Sequence, residues 1–201
     1  MKNDFNMCPK CGSKKIQWRD GKKWLCPDCG FDLYNNVAAA VGIVLYDAFN
    51  NVLFEVRAKE PRKGFLCLPG GFVDGGESTE QAIIRECREE LSANIQVQDI
   101  HYLCSFPNIY EYKNIAYNTC DIFFTAKLPS QYADMQAFVK TLHGEESEVV
   151  RFEIRMVQTA ADVESLPLAF PSAKQTLLKW VQTAVPETKS AVPEPVEGAH
   201  L

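Results

Sequence analysis

One stretch, Gly70 to Ala93 (GGFVDGGESTEQAIIRECREELSA), restricts this chain more than any other. Glycines at 70, 71, 75 and 76 open it, and Ser78 followed by Gln81 has the spacing of a helical capping box. At about 100° per residue, Ile83, Ile84, Cys87 and Leu91 share one face of the helix that follows. Glu86, Glu89 and Glu90 share the opposite face, one turn after the small Ala82, with Arg85 beside Glu89. Like charges at that spacing destabilise a helix by roughly 0.2–0.5 kcal/mol per pair. These carboxylates also lie in the half of the helix where the macrodipole disfavours negative charge. Such a face is ordinarily solvated, here with Arg85 and Arg88 as partial balance. A hard divalent cation, Mg²⁺ or Mn²⁺, reverses both penalties, and carboxylate oxygens are the ligands it takes.

The wider spacing favours the cation. From Gly71 the chain follows G-x5-E-x7-R-E-C-x-E-E-L-S-A, through Glu77, Arg85, Glu86, Glu89 and Glu90. This closely resembles the box of the Nudix hydrolases, G-x5-E-x7-R-E-U-x-E-E-x-G-U, where U is bulky and apolar. Every charged position is present. The departures are Cys87 and Ala93 at apolar positions, and Ser92 in place of the usual glycine, which ends a helix less comfortably than glycine does. The resemblance implies hydrolysis of a nucleoside diphosphate linked to another moiety, by attack of water on phosphorus. It also implies that Glu86, Glu89 and Glu90 bind the metal, that Glu86 or Glu89 is the general base, and that the Gly70 carbonyl is a further ligand. Arg85 is expected to orient a glutamate through a bidentate contact, with help from Glu77. Many Nudix enzymes add an acidic residue from a later loop. Glu145, Glu146 and Glu148 are the candidates, Glu148 first among them, although a solvated loop explains all three as well.

Residues 8 to 30 carry a second signal. Cys8/Cys11 and Cys26/Cys29 each begin Cys-Pro-x-Cys-Gly, with 14 residues between the pairs. Four thiolates at this spacing suit one closed tetrahedral Zn²⁺ site, and a redox pair needs no such duplicate. Ile16-Gln17-Trp18 and Lys23-Trp24-Leu25 are expected to be strands of a hairpin turning at Asp20-Gly21. The segment resembles a zinc ribbon. Its cations (Lys10, Lys14, Lys15, Arg19, Lys22, Lys23) and two tryptophans admit a nucleic-acid surface. A structural staple for a segment too short to build its own core is the favoured reading.

A chain of 201 residues, 46% hydrophobic and 23% charged, holds one ordinary domain plus something small. A net charge of −5 argues against general nucleic-acid or acidic-membrane binding. No run of 18 apolar residues and no apolar signal core are seen, so a cytoplasmic setting is expected. The expected divisions are a ribbon over 1–34, a Nudix domain over 35–183 and a disordered tail over 184–201, rich in Pro, Glu, Ala and Val. Residues 31–36 are expected to link the first two.

Within the second division, strands are expected at 37–46, 52–57, 95–104, 119–127 and 148–154, with the first two forming a hairpin. Helices are expected at 134–142, 159–166 and 172–183. Together with the box helix these fit the α/β/α sandwich with a mixed sheet that the resemblance implies. Cys67, Cys87, Cys104 and Cys120 sit in apolar or strand contexts and read as buried structural thiols. His101, His143 and His200 share no spacing.

A ribbon ahead of a Nudix domain is similar to the NADH pyrophosphatase branch, whose downstream signature is S-Q-P-W-P-F-P-x-S. Here the place reads Ser105-Phe106-Pro107-Asn108-Ile109-Tyr110-Glu111-Tyr112, keeping only Ser-x-Pro. The implied substrate is a dinucleotide such as NADH, or ADP-ribose. Phe106, Tyr110, Tyr112 and Tyr117 are candidates to stack on a base, or equally to be core or a subunit contact. The alternatives are an RNA cap-removing enzyme that uses the ribbon, and a ligand-sensing regulator without turnover. Nudix enzymes of this type are often dimers.

Overall fold

The computed structural model describes residues 5–142 and 149–184. Its first sheet is three-stranded, in the order β1 (Gln17–Arg19), β2 (Lys23–Leu25), β3 (Asp32–Tyr34). Asp20 and Gly21 both take positive φ at the centre of a turn closed by Lys22 N–H to the Arg19 carbonyl at 3.1 Å, inside a three-residue loop between the paired Arg19 and Lys23. The duplicated Cys-Pro-x-Cys-Gly sequences adopt duplicated conformations. Gly12 N–H donates to the Cys8 carbonyl and Gly30 N–H to the Cys26 carbonyl, both at 2.9 Å. Trp24, almost fully buried, packs between Trp18 and Phe5, with ring centroids 4.4 and 4.7 Å away. Residues 31–36 are not a plain linker, because 32–34 form the third strand. Leu33 sits opposite Trp24 in the β2–β3 register and lengthens its apolar cover.

The second sheet is mixed. Its order is β6 (Leu66–Cys67), β5 (Asn51–Arg57), β4 (Ala38–Tyr46), β8 (Ile115–Lys127), β7 (His101–Tyr112), with β9 (Val149–Met156) also on β5. β4 runs parallel to β8 from Ala38↔Thr119 to Tyr46↔Lys127, and the other pairings are antiparallel. The near-continuous apolar run of β4 has a direct cause, because both faces of the sheet are covered. Val41, Ile43 and Leu45 face α1 (Thr79–Leu91) together with Ile83, Cys87 and Leu91. Val44, with Val52, Phe54 and Phe123, faces α4 (Pro171–Ala184) through Leu177 and Trp180. Each such side chain taken fully out of water contributes about 1.5–3 kcal/mol. Two short helices, α2 (Met135–Val139) and α3 (Ala160–Ser165), begin on the Asp134 and Thr159 side chains as caps.

The expected β4–β5 hairpin pairs only at Tyr46↔Val52. Beyond that point the segment 69–73 takes the place beside β4. Val41 N–H donates to Gly71 O at 2.8 Å, Ile43 N–H to Pro69 O at 3.0 Å, and Val73 N–H to Ala39 O at 3.0 Å. This ladder pins the glycine-rich turn to the middle of the sheet.

The expected strand at 95–104 is shifted. A single 3-10 turn (Val97–Asp99) precedes β7, which runs on to Tyr112. Pro107 is tolerated there because β7 ends the sheet order. Lys113 and Asn114 both have positive φ and turn the chain into β8, which starts four residues before the expected 119. Among the described residues no helix is long and apolar enough to cross a membrane. The expected tail lies, from 185 onward, outside the described residues, as do Glu145, Glu146, Glu148, His143 and His200.

Candidate active site

The helix carrying the glutamates begins as its sequence implies. Ser78 caps the Gln81 N–H and the Gln81 side chain returns the bond, completing the capping box. At the other end Ser92 holds the left-handed conformation (φ 50°) that glycine adopts more cheaply.

Arg85 is the hub of the box. Its Nη2 and Nε grip Glu77 at 2.7 and 3.3 Å, and its Nη1 reaches Glu86 Oε1 at 2.8 Å and Glu89 Oε2 at 3.1 Å. Nη2 also donates to the Phe72 carbonyl at 2.9 Å. The bidentate contact is thus with Glu77, and Glu86 and Glu89 each receive a single bond. Hydrogen bonding to Glu77 holds the guanidinium pKa above its ordinary value, and the same contact holds the Glu77 carboxyl below its own.

The turn is built to approach the helix closely. Glu90 Oε2 accepts from Gly70 N–H at 2.8 Å. A Cβ on Gly71 would lie 2.5 Å from Glu86 Oε1, and one on Gly70 would lie 2.2 Å from the Val41 carbonyl oxygen. Gly70 also has φ +138° and would meet backbone, so it excludes a side chain, whereas a side chain at Gly71 would displace the Glu86 carboxylate. The three glutamates do not form the expected single face opposite the apolar one. Glu86 and Glu90 are buried beside the core residues Ala82, Ile83 and Cys87, because about 100° per residue sets Glu90 only about 20° from Ile83, whereas Glu89 is exposed.

Glu86, Glu90, Gly70 and Gly71 form one end of a cavity of about 400 Å³. Phe72, Tyr110, Tyr112 and Phe170 give it aromatic walls, and Arg57 and Lys59 add positive charge. Tyr110 meets Phe72 edge-on at 5.4 Å between centroids and lies 5.8 Å from Phe170. The Arg57 guanidinium lies 5.0 Å from the centre of the Phe170 ring and donates to the Pro61 carbonyl at 2.8 Å. Asn108, Thr119, Asp121 and Ser172 supply polar groups to the same cavity. Its size is that of a small-molecule site.

Of the aromatic candidates, Tyr110 and Tyr112 line this cavity and Phe106 does not. Phe106 shares their face of β7 by the two-residue period, but it lies further along the strand, where it packs into the core beneath α4. Tyr117 is exposed on β8. Of the four thiols outside the ribbon, Cys87 and Cys104 are buried, while Cys67 and Cys120 are half-buried. Burial raises the Cys67 and Cys87 pKa values, which keeps both thiols protonated.

Sequence reasoning missed Arg57, Asn108, Thr119, Asp121, Phe170 and Ser172. One signal was available: Thr119 and Asp121 alternate with apolar residues in a strand otherwise suited to burial, and polar groups there need a purpose.

In the ribbon, Cys8, Cys11, Cys26 and Cys29 offer ligand atoms that all lie within 4.8 Å of one another. Among the described residues this is the one group of three or more His, Cys, Asp or Glu gathered so tightly. Sγ–Sγ separations are 3.8 Å for Cys8–Cys29 and 3.7 Å for Cys11–Cys26.

The fold and the box together define a Nudix-type domain preceded by a zinc-ribbon sheet. Residues 37–181 match the family described as NUDIX domain, and the chain belongs to that family. An ADP-ribose pyrophosphatase of Methanocaldococcus jannaschii is 39% identical over 106 residues, covering 52% of this chain and 57% of that protein. An NAD-capped RNA hydrolase, NudC, of Pseudomonas aeruginosa is 35% identical over 101 residues, covering 49% of this chain and 34% of that protein. The match therefore spans between a third and a little over half of these relatives' length. Among solved structures, a Nudix hydrolase from Nitrosomonas europaea superposes with TM-score 0.58 at 23% identity, over 88% of this chain and 90% of that one. The Nudix domain of Shewanella oneidensis NrtR, complexed with ADP ribose, gives TM-score 0.57 at 23% identity, over 75% of this chain and 90% of that one. At that identity the likeness establishes the fold.

Proposed function

We propose that this chain hydrolyses the pyrophosphate bond of a nucleoside diphosphate joined to a second moiety, a dinucleotide such as NADH or ADP-ribose, and releases a nucleoside monophosphate. One observation carries the reading: Glu86, Glu90 and the Gly70 backbone converge on one end of a cavity whose remaining walls are aromatic, cationic and polar. That combination suits a diphosphate flanked by a nucleoside. The names of the two curated relatives point to substrates of this kind.

The donor set fits a hard cation, because carboxylates and a backbone carbonyl are its preferred ligands and the glycines keep side chains out of the space between them. Glu86, Glu89, Glu90 and the Gly70 carbonyl would hold Mg²⁺ or Mn²⁺. When bound, the ion would neutralise charge on the bridging and leaving phosphate oxygens. The remaining work falls to the chain's own groups. Arg85 fixes the glutamates, and Arg57 and Lys59 supply positive charge for the diphosphate. Glu86 or Glu89 takes the proton of the attacking water as its oxygen bonds to phosphorus and the anhydride P–O bond breaks. Glu148 remains the candidate for a late acidic ligand.

For the ribbon we propose a structural Zn²⁺ on Cys8, Cys11, Cys26 and Cys29. A Zn–S bond of about 2.3 Å sets a tetrahedron edge of about 3.8 Å, which agrees with the sulfur separations above. Two of its six cations are balanced locally, Lys15 by Asp28 at 3.0 Å and Lys23 by Asp32 at 2.8 Å, which weakens the case for a nucleic-acid surface. We propose that residues 1–34 are a staple for the Nudix domain over 35–183, which acts on a small molecule in the cytoplasm, with a homodimer as the assembly to test by size-exclusion chromatography.

The test is product analysis on NADH, NAD⁺, ADP-ribose, FAD, a diadenosine polyphosphate and nucleoside triphosphates, with Mg²⁺ or Mn²⁺. AMP release from a dinucleotide or ADP-ribose is expected, reduced at least roughly a hundredfold in Glu89→Gln. No turnover of any member with either metal sinks the proposal. Capped RNA then becomes the next substrate to try.

A further inference from the structure

The cavity also carries polar groups whose arrangement the hydrolysis itself does not use. Asp121, 8% exposed, accepts from Asn108 Nδ2 at 2.9 Å and from Ser172 Oγ at 2.6 Å. Both bonds fall on Oδ2, so two neighbours fix the carboxylate while Oδ1 keeps its acceptor sites. Thr119, 3% exposed and directly opposite Asn108 in the β7–β8 register, has a hydroxyl with no hydrogen-bond partner. A buried unpartnered hydroxyl is costly, and here it sits on the cavity wall two residues from Asp121, on the same face of β8.

We propose that Thr119 and Asp121 recognise the vicinal hydroxyls of the substrate's nucleoside ribose, with the base lying on Tyr110 and Phe170. A diol supplies two donors. Asp121 accepts one, and Thr119, which both donates and accepts, completes the other. A fixed, buried carboxylate also rejects an anion, so a phosphate ester on that ribose is excluded by like charge as well as by size. The site therefore favours unphosphorylated ribose over its 2′-phosphate. The inference rests on the nucleotide reading above, and its test uses binding so that the two fail separately.

AMP, 2′,3′-dideoxyadenosine monophosphate and adenosine 2′,5′-bisphosphate are titrated by calorimetry against the full chain and against Thr119→Val and Asp121→Asn. Valine matches threonine in shape, and removing a hydroxyl that has no partner leaves the fold intact or slightly steadier. Wild type is expected to prefer AMP over the dideoxy compound by roughly tenfold or more. Thr119→Val narrows that ratio by roughly three- to tenfold while leaving the dideoxy affinity unchanged. Asp121→Asn narrows the preference for AMP over the bisphosphate. Equal wild-type affinity for AMP and either analogue overturns the proposal, as does failure to bind AMP at millimolar concentration. A Thr119→Val loss that is the same for AMP and the dideoxy compound also overturns it, by moving the hydroxyl to the base edge. Ribose preference without turnover refutes the hydrolase reading alone, and turnover without ribose preference refutes this one alone.

Discussion

Replacing Arg85 by lysine keeps the charge and removes the fork. The guanidinium makes five hydrogen bonds, two to Glu77 and one each to Glu86, Glu89 and the Phe72 carbonyl. An ammonium has three donors on a single nitrogen, so at least two of the five are lost, and bidentate grip on Glu77 is impossible. The Glu89 contact counts for little, because that side chain is 52% exposed. The Glu77 and Glu86 side chains are only 17% and 12% exposed, so their bonds carry the effect. At about 1 kcal/mol for each lost bond, with some excess for charge-assisted ones, Arg85→Lys costs about 2–3 kcal/mol. With a urea m-value of about 2 kcal/mol/M, the unfolding midpoint falls by roughly 1 M at unchanged slope. Arg88→Lys, on the exposed side of the same helix, is the control and stays within about 0.5 kcal/mol. Turnover falls further than stability suggests, by roughly a hundredfold, since Glu86 and Glu89 lose the contact that orients them. A double-mutant cycle with Glu77→Gln gives a coupling energy above about 1 kcal/mol. A variant with a wild-type midpoint and a turnover within twofold would show that Arg85 is a surface charge, and the hub reading would be wrong.

Gly71→Ala brings a Cβ to 2.5 Å from Glu86 Oε1. The protein stays folded by circular dichroism, because the clash is with one side-chain end, but divalent-metal affinity in a titration falls by roughly tenfold or more. Undiminished affinity argues against Glu86 as a ligand. Acid sensitivity follows from Glu77, whose folded pKa lies below its ordinary 4.5. Its contribution is complete well above the unfolded value and drains as pH falls below it through the lower folded value, so Glu77→Gln flattens the acid limb of the stability-versus-pH curve, below about pH 4.5, in urea melts. Chelation of the ribbon metal melts the Trp18–Trp24 sheet, seen as a change in tryptophan fluorescence, while the α1 and α4 faces stay protected in hydrogen exchange.

What could be read from the sequence was what neighbouring residues dictate to one another. The capping box, the face carrying Ile83, Cys87 and Leu91, the hairpin at Asp20-Gly21 and the paired cysteine knuckles each depend on residues within one turn or one loop, and each appears as expected. Errors occur where a partner far along the chain decides. Asp32–Tyr34 has no strong strand pattern and becomes a strand because β2 offers an edge beside Trp24. The shift of β7 arises from a false period. Ile95 and Ile100 are buried on either side of the 3-10 turn, and the polar residues among them imitate the alternation of a strand.

The same division separates the two ends of the cavity. Its glutamate end lies on one helix and the turn just before it, so spacing along 24 residues reveals the donors together with the glycines that let them approach. The polar and aromatic end is assembled from β5, β7, β8 and the start of α4, and Asp121 meets Ser172 across 51 positions of sequence. No local period encodes such a meeting. It exists because β4 pairs in parallel with β8 while the glycine turn lies along β4, which sets Thr119 and Asp121 on the same sheet as the turn that Glu90 holds through Gly70. On the proposed function, the hydrolytic end is a short motif whose close contacts leave little room for change, whereas the polar and aromatic end rests on side chains from separate strands that can change one at a time. The sequence fits that division, since every charged position of the box is matched while the place around Asn108 and Tyr110 keeps only Ser-x-Pro of the downstream signature.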